Sequence, residues 1–460
     1  MSAVTDLYRS RLISHEELIT RLRPGNSITL GTWMGQPHGF MQALTRYGKE
    51  IDPLYVSSSP ASANGEFLSQ PNIRCLSTFL GYYERLARRQ RHNVMYTPLQ
   101  YTDARNSVRS NRPPDYLVVR TAPLGERGSF NLSLSNSWLQ DAIGWYARHA
   151  PATKIVVEVN RHMPPIRGLP QFGNNEIPLS DVHHIVEDDT PIPDFTTPKP
   201  SDVDRAIAAN VAALVEDRAT IQLGFGTIPM VIGRLLAERK ELGIHTEMFC
   251  QSHVDLIEAG SVSNAHKGLY DGISVGTFAL GEQRLYHWLT DNPAFAMLPV
   301  QETNAVPILA RVRKMTSINS ILTVDLNGQC CAHCIGPETY SGLGGAFEFA
   351  YGSQLSPGGK SILCLPSKTR LRDGRDVSNI VARYPAGTRV TIPEHCVDWV
   401  VTEQGAVRLK FLNQEWRASA LIAIAHPQYR DELSREAAAN GLNLASLASS
   451  RRPPEQFFSK

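Results

Sequence analysis

Short apolar runs alternate with longer amphipathic stretches along most of the chain, the pattern that repeated strand and helix units produce. Residues 27–31 (Ser-Ile-Thr-Leu-Gly) read as a strand entering a turn, and residues 116–120 (Tyr-Leu-Val-Val-Arg) and 154–159 (Lys-Ile-Val-Val-Glu-Val) as two more. Stretches between them, such as 137–148, read as helices. This alternation predicts an α/β fold, a mainly parallel sheet covered by helices on both faces. From 169 to about 203 the pattern breaks into Pro, Gly, Asn and Asp, ending on Asp194-Phe-Thr-Thr-Pro-Lys-Pro-Ser-Asp202. Proline at that density does not fit inside regular elements, so the segment reads as an interdomain connection, with one domain over 1–200 and a second over 201–460. Ser201, Asp202 and Asp204 offer a cap and an acidic first turn for a helix running through Glu216.

An internal echo joins the two parts. Ile28-Thr-Leu-Gly-Thr-Trp-Met-Gly-Gln-Pro37 and Ile221-Gln-Leu-Gly-Phe-Gly-Thr-Ile-Pro229 both read as strand, glycine turn, proline and helix. Two halves of similar fold facing one another would bind ligands where strands end and helices begin.

Length and charge narrow the function classes. The 460 residues suit two or three domains, and 46 Lys plus Arg against 44 Asp plus Glu leave a net charge of +2. That balance gives no ground for a nucleic-acid partner held by bulk charge. The basic clusters at Arg85 to Arg91 and Arg105 to Arg112 are short, lack interleaved aromatics and read as solvated faces. No stretch is long and apolar enough for a membrane span, and the first residues lack the apolar core of a secretory signal, so a cytoplasmic protein is expected. Seven scattered cysteines make a poor disulfide framework and are expected reduced.

Two glycine-rich turns are candidates for chemistry. Gly224-Phe-Gly226-Thr-Ile-Pro229 follows an apolar strand, and Tyr340-Ser-Gly342-Leu-Gly344-Gly345 precedes a helix-like run. Such turns bring backbone amides close to an anion or an oxyanion, although each also serves as a plain connection. Cys330-Cys331-Ala-His333-Cys334 has one half of a zinc spacing and lacks the second, so the reading is buried or cleft-lining thiols and no metal. His245-Thr-Glu247 suggests an acid–base pair, yet single His and Glu residues beside apolar runs are more often structural.

Taken jointly, these segments resemble the acetyl-CoA hydrolase/transferase family, class I CoA-transferases related to 4-hydroxybutyrate CoA-transferase. The resemblance spans Glu158-Val-Asn160-Arg-His-Met-Pro164, Ser180-Asp-Val-His-His-Ile-Val-Glu187, residues 221–229, Leu242-Gly-Ile-His245-Thr-Glu247-Met248, Ser317-Ile-Asn319-Ser, Val324-Asp-Leu-Asn-Gly328-Gln329, residues 341–349, Val401-Thr-Glu403-Gln-Gly405 and Ile424-Ala-His-Pro427. It implies two open three-layer α/β domains with the site in the cleft between them. It also implies a glutamate that takes the acyl group as an anhydride, then CoA as a thioester, and passes CoA to a second carboxylate. No tightly bound cofactor is implied; coenzyme A is substrate or acyl carrier, with a small carboxylate or other acyl acceptor, and a homo-oligomer is expected. A carrier-protein thioester is an alternative donor, since it shares the pantetheine arm.

The departure from the family pattern is Thr323, in Ser317-Ile-Asn-Ser-Ile-Leu-Thr-Val-Asp-Leu326, where the resemblance expects the glutamate nucleophile. A threonine ester would not form the thioester carrier of a ping-pong cycle. The expectation is therefore acyl transfer, thioester hydrolysis or decarboxylation on a CoA-transferase scaffold. The alternatives are a true CoA-transferase using another residue, and a non-catalytic acyl-CoA-binding partner or sensor. The candidate catalytic set is Thr323, Glu403, Cys250, His253 and Cys330, with Cys331, His245 and His333 as further thiol and base candidates. Gln222, Gly224, Gly226, Asn319, Gly344 and Gly345 are expected to bind substrate and oxyanion, and Gly342 and Lys360 to hold CoA.

Overall fold

The computed structural model describes residues 3–110, 112–196, 198–224, 226–449 and 458–459. The chain forms two compact units, one of residues 1–196, 247–250 and 275–303, the other of 197–246, 251–274 and 304–460. The C-terminal part thus contributes two segments to the first unit, which the division at 200 leaves out. Among the described residues no helix is long and apolar enough to cross a membrane.

In the first unit seven strands form one parallel sheet: β1 (Ser27–Leu30), β2 (Leu54–Ser57), β3 (Ile73–Ser77), β4 (Val94–Tyr96), β5 (Tyr116–Thr121), β6 (Lys154–Val159) and β7 (His184–Glu187). Their order is β4-β3-β2-β1-β5-β6-β7. The central strands are apolar at nearly every position because both faces are covered. Val118, Val156 and Val186 join Phe40, Leu44 and Phe67 in one cluster. Their neighbours Leu117, Val119, Ile155, Val157 and Ile185 join Phe130, Leu139 and Ile143 in another. Helices α1 (His38–Tyr47) and α2 (Leu139–His149) contribute to the two faces respectively. The proline-rich segment differs from the expectation in part: His184–Glu187 within it is the edge strand, paired in parallel with β6.

The second unit begins with helix α3 (Asp202–Leu214), followed by α4 (Thr227–Leu235), α5 (Gln251–Glu258) and α6 (Ala346–Leu355). Ser201 caps α3: its hydroxyl accepts from Asp204 N, and the Asp204 carboxylate accepts from Ser201 N, a closed box that explains why the helix starts there. The strands are β8 (Thr220–Leu223), β9 (Gly243–Ile244), β10 (Met315–Ser320), β11 (Thr323–Asp325), β12 (Cys330–Cys331), β13 (Cys334–Ile335), β14 (Glu338–Thr339), β15 (Lys360–Cys364), β16 (Ile380–Val381), β17 (Trp399–Thr402), β18 (Gly405–Arg408) and β19 (Phe458–Ser459). The main sheet runs β9-β8-β10-β15-β17-β18-β19, with every pairing parallel except the two made by β18; β12-β11-β16, β13-β14 and a further antiparallel pair, Lys368–Arg370 with Asp376–Ser378, are small separate ribbons.

Strand order fixes where each sheet can hold a ligand. In the first unit the chain leaves β1 toward β2, β3 and β4, then returns to the other side of β1 as β5; in the second it leaves β8 toward β9 and returns as β10. The crevice outside the carboxyl ends of such a strand pair is the favoured ligand position of an open α/β sheet. The two echoed sequences fall on β1 and β8, the strand at the reversal in each unit.

Candidate active site

In the second unit the reversal lies between Gln222 and Asn319, which stand near the ends of β8 and β10. Gln222 Nε2 donates to Asn319 Oδ1 and Asn319 Nδ2 donates to Gln222 Oε1, each at 3.0 Å. Gln222 Oε1 also accepts from Ile318 N at 3.3 Å. Gly224 continues β8, its N–H donating to Ile318 O at 2.9 Å. A Cβ at Gly224 would lie 3.3 Å from both Asn319 Oδ1 and Ile318 O, so a side chain there would press on the amide pair. Gly226 caps α4 at φ +129°, with open space where a Cβ would stand. Gly344 has φ +52° and Gly345 caps α6. Both turns therefore end at the N-terminus of a helix, where free N–H groups suit an anionic oxygen. Gly342 is buried in the second turn, its carbonyl accepting from Ser341 Oγ at 3.4 Å.

Thr323 lies apart from the main sheet, on β11, half-buried and directly opposite Cys331 of β12. Its carbonyl accepts from the Tyr384 hydroxyl at 2.9 Å. Cys330 is fully buried, its thiol pushed well above the ordinary range by burial and then by the Asp325 charge, and it leans on Gly328 O at 3.7 Å. This is the setting of a packing thiol and not of a nucleophile. Cys250 is half-buried just before α5, and His253, on that helix, is wholly buried.

Glu403 occupies the two-residue turn between β17 and β18. One carboxylate oxygen accepts from Ser367 N at 2.9 Å and the other from the Ser367 hydroxyl, so the group anchors a loop. It borders a groove of about 480 Å³ with Lys368, Arg370, Asp376 and His426. Lys360 is a correction. It starts β15, at the amino end of the parallel sheet, where Nζ donates to Glu216 Oε1 at 2.8 Å and Leu214 O at 3.0 Å. Strand polarity puts it at the opposite edge from both glycine turns, so it does not hold CoA there.

The reversal in the first unit carries a feature that sequence reasoning missed. Just past β1, Thr32 Oγ1 lies 3.3 Å from Ser135 Oγ, which lies 3.2 Å from Ser137 Oγ, which lies 2.6 Å from the Tyr101 hydroxyl. The Thr32 and serine members are buried. Trp33, Ser133 and Ser137 all adopt left-handed backbone, at φ +52°, +57° and +50°, and Trp33 stacks on Phe278 with centroids 4.7 Å apart. Strain of this kind in non-glycine residues gathers at functional sites. Half-buried Glu247 belongs to the same unit. Its carbonyl accepts from Thr277 N at 2.9 Å, and Thr277 O accepts from Ser137 N at 3.0 Å. Its charge adds to burial in raising the Tyr101 phenol.

Comparison with known proteins agrees with this architecture. The acetyl-CoA hydrolase/transferase N-terminal domain matches residues 3–195, and the C-terminal domain of that family matches residues 281–437. The chain belongs to the acetyl-CoA hydrolase/transferase family. It is 34% identical over 432 residues to succinyl-CoA:cyclohexane-1-carboxylate CoA transferase of Geobacter metallireducens, covering 94% of this chain and 95% of that one. It is 33% identical to 4-hydroxybutyrate coenzyme A transferase of Clostridium kluyveri, covering 94% and 98%. The crystal structure of RipA from Yersinia pestis superposes with a TM-score of 0.86 at 31% identity, over 96% of this chain and all of that one.

As a member of the acetyl-CoA hydrolase/transferase family, the protein is an acyl-CoA transferase/hydrolase enzyme. Gln222, Gly224 and Asn319 are neighbours at the ends of β8 and β10, while Cys330, Glu403 and Lys360 each have a local structural partner. The hydroxyl chain of Thr32, Tyr101, Ser135 and Ser137 had no sequence signal beyond the echo at residues 28–37. For Glu247 the signal was present in His245-Thr-Glu247-Met248 and was set aside as structural.

Proposed function

We propose that the protein moves CoA from an acyl-CoA to a carboxylate acceptor, with Glu247 as the carboxylate that carries first the acyl group and then CoA. The observation that carries this reading is half-buried Glu247, joined through the Thr277 backbone to Ser137, whose hydroxyl meets that of Tyr101. A carboxylate suits the task because its anhydride and its thioester are both reactive enough to be passed on. The Glu247 carboxylate attacks the thioester carbonyl, and the C–S bond breaks to release CoA thiolate and leave an acyl-glutamyl anhydride. The thiolate attacks the glutamyl carbonyl, expelling the acyl group as a carboxylate and leaving a glutamyl-CoA thioester. The acceptor carboxylate reverses the sequence, leaving with CoA and regenerating Glu247. CoA transfer is what the names of both relatives above state for those proteins.

A second reading rests on Thr323: with no glutamate there, the scaffold would instead hydrolyse, decarboxylate or transfer the acyl group to another acceptor. One experiment separates the two. The protein is incubated with a panel of acyl-CoA compounds, each with and without a carboxylate acceptor, and acyl exchange, free thiol and CO2 are followed. Borohydride trapping is then mapped by peptide mass spectrometry. Acceptor-dependent exchange is expected, with a reduced adduct at position 247 and none at 323. Glu247→Gln is expected to lose on the order of 10³-fold or more in kcat, and Thr323→Val to keep its adduct at 247. Release of free thiol or CO2 without acceptor dependence, or an adduct at 323, refutes CoA transfer through Glu247.

A further inference from the structure

In the second unit Cys331, His333 and Cys334 place two sulfurs and a ring nitrogen within 4.8 Å of one another, and all three residues are buried. We propose that these side chains bind one soft divalent cation of the zinc type through two thiolates and one imidazole. With metal–sulfur bonds of about 2.3 Å and a metal–nitrogen bond of about 2.0 Å, tetrahedral geometry sets sulfur–sulfur at about 3.8 Å and sulfur–nitrogen at about 3.6 Å. Each separation therefore needs to shorten by at most about 1.2 Å.

The ligands come from adjoining short ribbons and are held by neighbours suited to a metal site. Cys331 ends β12 and Cys334 opens the β13-β14 hairpin, with His333 in the turn between them. His333 Nδ1 lies 2.5 Å from Thr391 Oγ1, which also accepts from Ala332 N at 2.8 Å. A hydroxyl already fixed by a backbone donor orients the ring through Nδ1 and leaves Nε2 as the lone-pair donor, the usual outer support of a ligating histidine. Arg389 Nε donates to Cys334 Sγ at 3.3 Å, and its Nη2 donates to Thr339 Oγ1 on the same face of the hairpin. Burial pushes the Cys331 thiol upward, and its S–H points to Cys334 O at 3.4 Å. Both cysteines bind the cation as thiolates. Three protein ligands leave a fourth position for water or another oxygen donor, on the face of the ribbon that Thr323 shares with Cys331.

The test uses the full chain without a histidine tag, reduced and titrated with Co2+. One Co2+ per chain is expected, with a thiolate-to-cobalt charge-transfer band, intense visible bands of tetrahedral cobalt, and displacement by Zn2+. Cys334→Ser and His333→Ala are expected to weaken binding at least about tenfold, Thr391→Val about 10–100-fold, and Cys330→Ser not at all. Circular dichroism confirms that each variant is folded, and the wild-type spectrum decides the question even if Cys331→Ser is not. The absence of a thiolate band in the wild type overturns the proposal, as does a band unchanged in folded Cys334→Ser. A Cys331–Cys334 disulfide in protein isolated without oxidant also overturns it. None of these outcomes depends on the position of the acyl carrier.

Discussion

Removing the side chain of Asn319 or Gln222 tests the amide pair at the sheet reversal of the second unit. The two residues exchange two hydrogen bonds of 3.0 Å, and a typical bond of this kind contributes about 0.5–1.5 kcal/mol net. The two truncations are not equivalent. Asn319→Ala leaves Gln222 Nε2 without that acceptor at a residue only 3% exposed, so the cost should approach the roughly 1–3 kcal/mol of an orphaned buried donor. Gln222→Ala leaves Asn319, which is half-buried and reachable by water, and takes from Ile318 N only a long 3.3 Å contact, so it should cost about 1 kcal/mol. The double variant loses both bonds once, so a coupling of about 1–2 kcal/mol is expected. Equilibrium urea unfolding of the four proteins gives the cycle, and kcat/KM for an acyl-CoA, measured where all four are folded, gives the functional reading. A drop of about tenfold in kcat/KM is expected for Asn319→Ala. Additivity within about 0.3 kcal/mol, or a larger loss from Gln222→Ala than from Asn319→Ala, would refute the pairing and the ranking.

Two further predictions concern pH and backbone. His38 is buried beside Arg120, whose Nη1 lies 3.0 Å from His38 Nδ1, and burial followed by that positive charge lowers its pKa from 6.5 to about 3. The unfolded chain therefore binds the extra proton between those values, so the associated stability is full above about pH 6.5 and is lost as pH falls toward 3, at up to about 1.4 kcal/mol per unit. Denaturant midpoints from pH 7 to 4 should fall more steeply in the wild type than in His38→Gln; parallel curves would disprove the assignment. Gly226→Ala meets no atom within 4 Å but forces an L-residue to φ +129°, so about 1–3 kcal/mol of stability and a raised KM for acyl-CoA are expected, by differential scanning and steady-state kinetics. An unchanged melting temperature would show that the turn tolerates the residue.

Much of the architecture was readable from local pattern. The strand predicted at 154–159 coincides with Lys154–Val159, and those at 27–31 and 116–120 agree with Ser27–Leu30 and Tyr116–Thr121 within a residue. Residues 117–119 and 155–157, at the centre of two of these strands, are buried and form short apolar runs. The site was less legible for two physical reasons. Some placements had a local signal: Lys360 opens its strand and so lies at the amino edge of the sheet, and Thr402-Glu-Gln-Gly405 has the form of a tight hairpin turn. Others had none, because the partners lie far apart in the chain. Nothing near Tyr101 indicates Ser137 or Glu247, and nothing near His333 indicates Thr391 or Arg389. The proximity of Cys331, His333 and Cys334 has only the C-x2-C spacing as its local signal, because two adjoining ribbons bring the three side chains together.

The way the chain is shared out has a bearing on how this protein can be divided. Residues 247–250 and 275–303 fold with the first unit although they lie well inside the sequence of the second. A fragment beginning at residue 201 would carry both segments without the sheet they pack on, and one ending at 200 would lack them. Complementation by separately expressed halves should therefore fail, or need both halves together from the start of folding. Exchange or removal of one unit by a single cut in the chain would face the same obstacle.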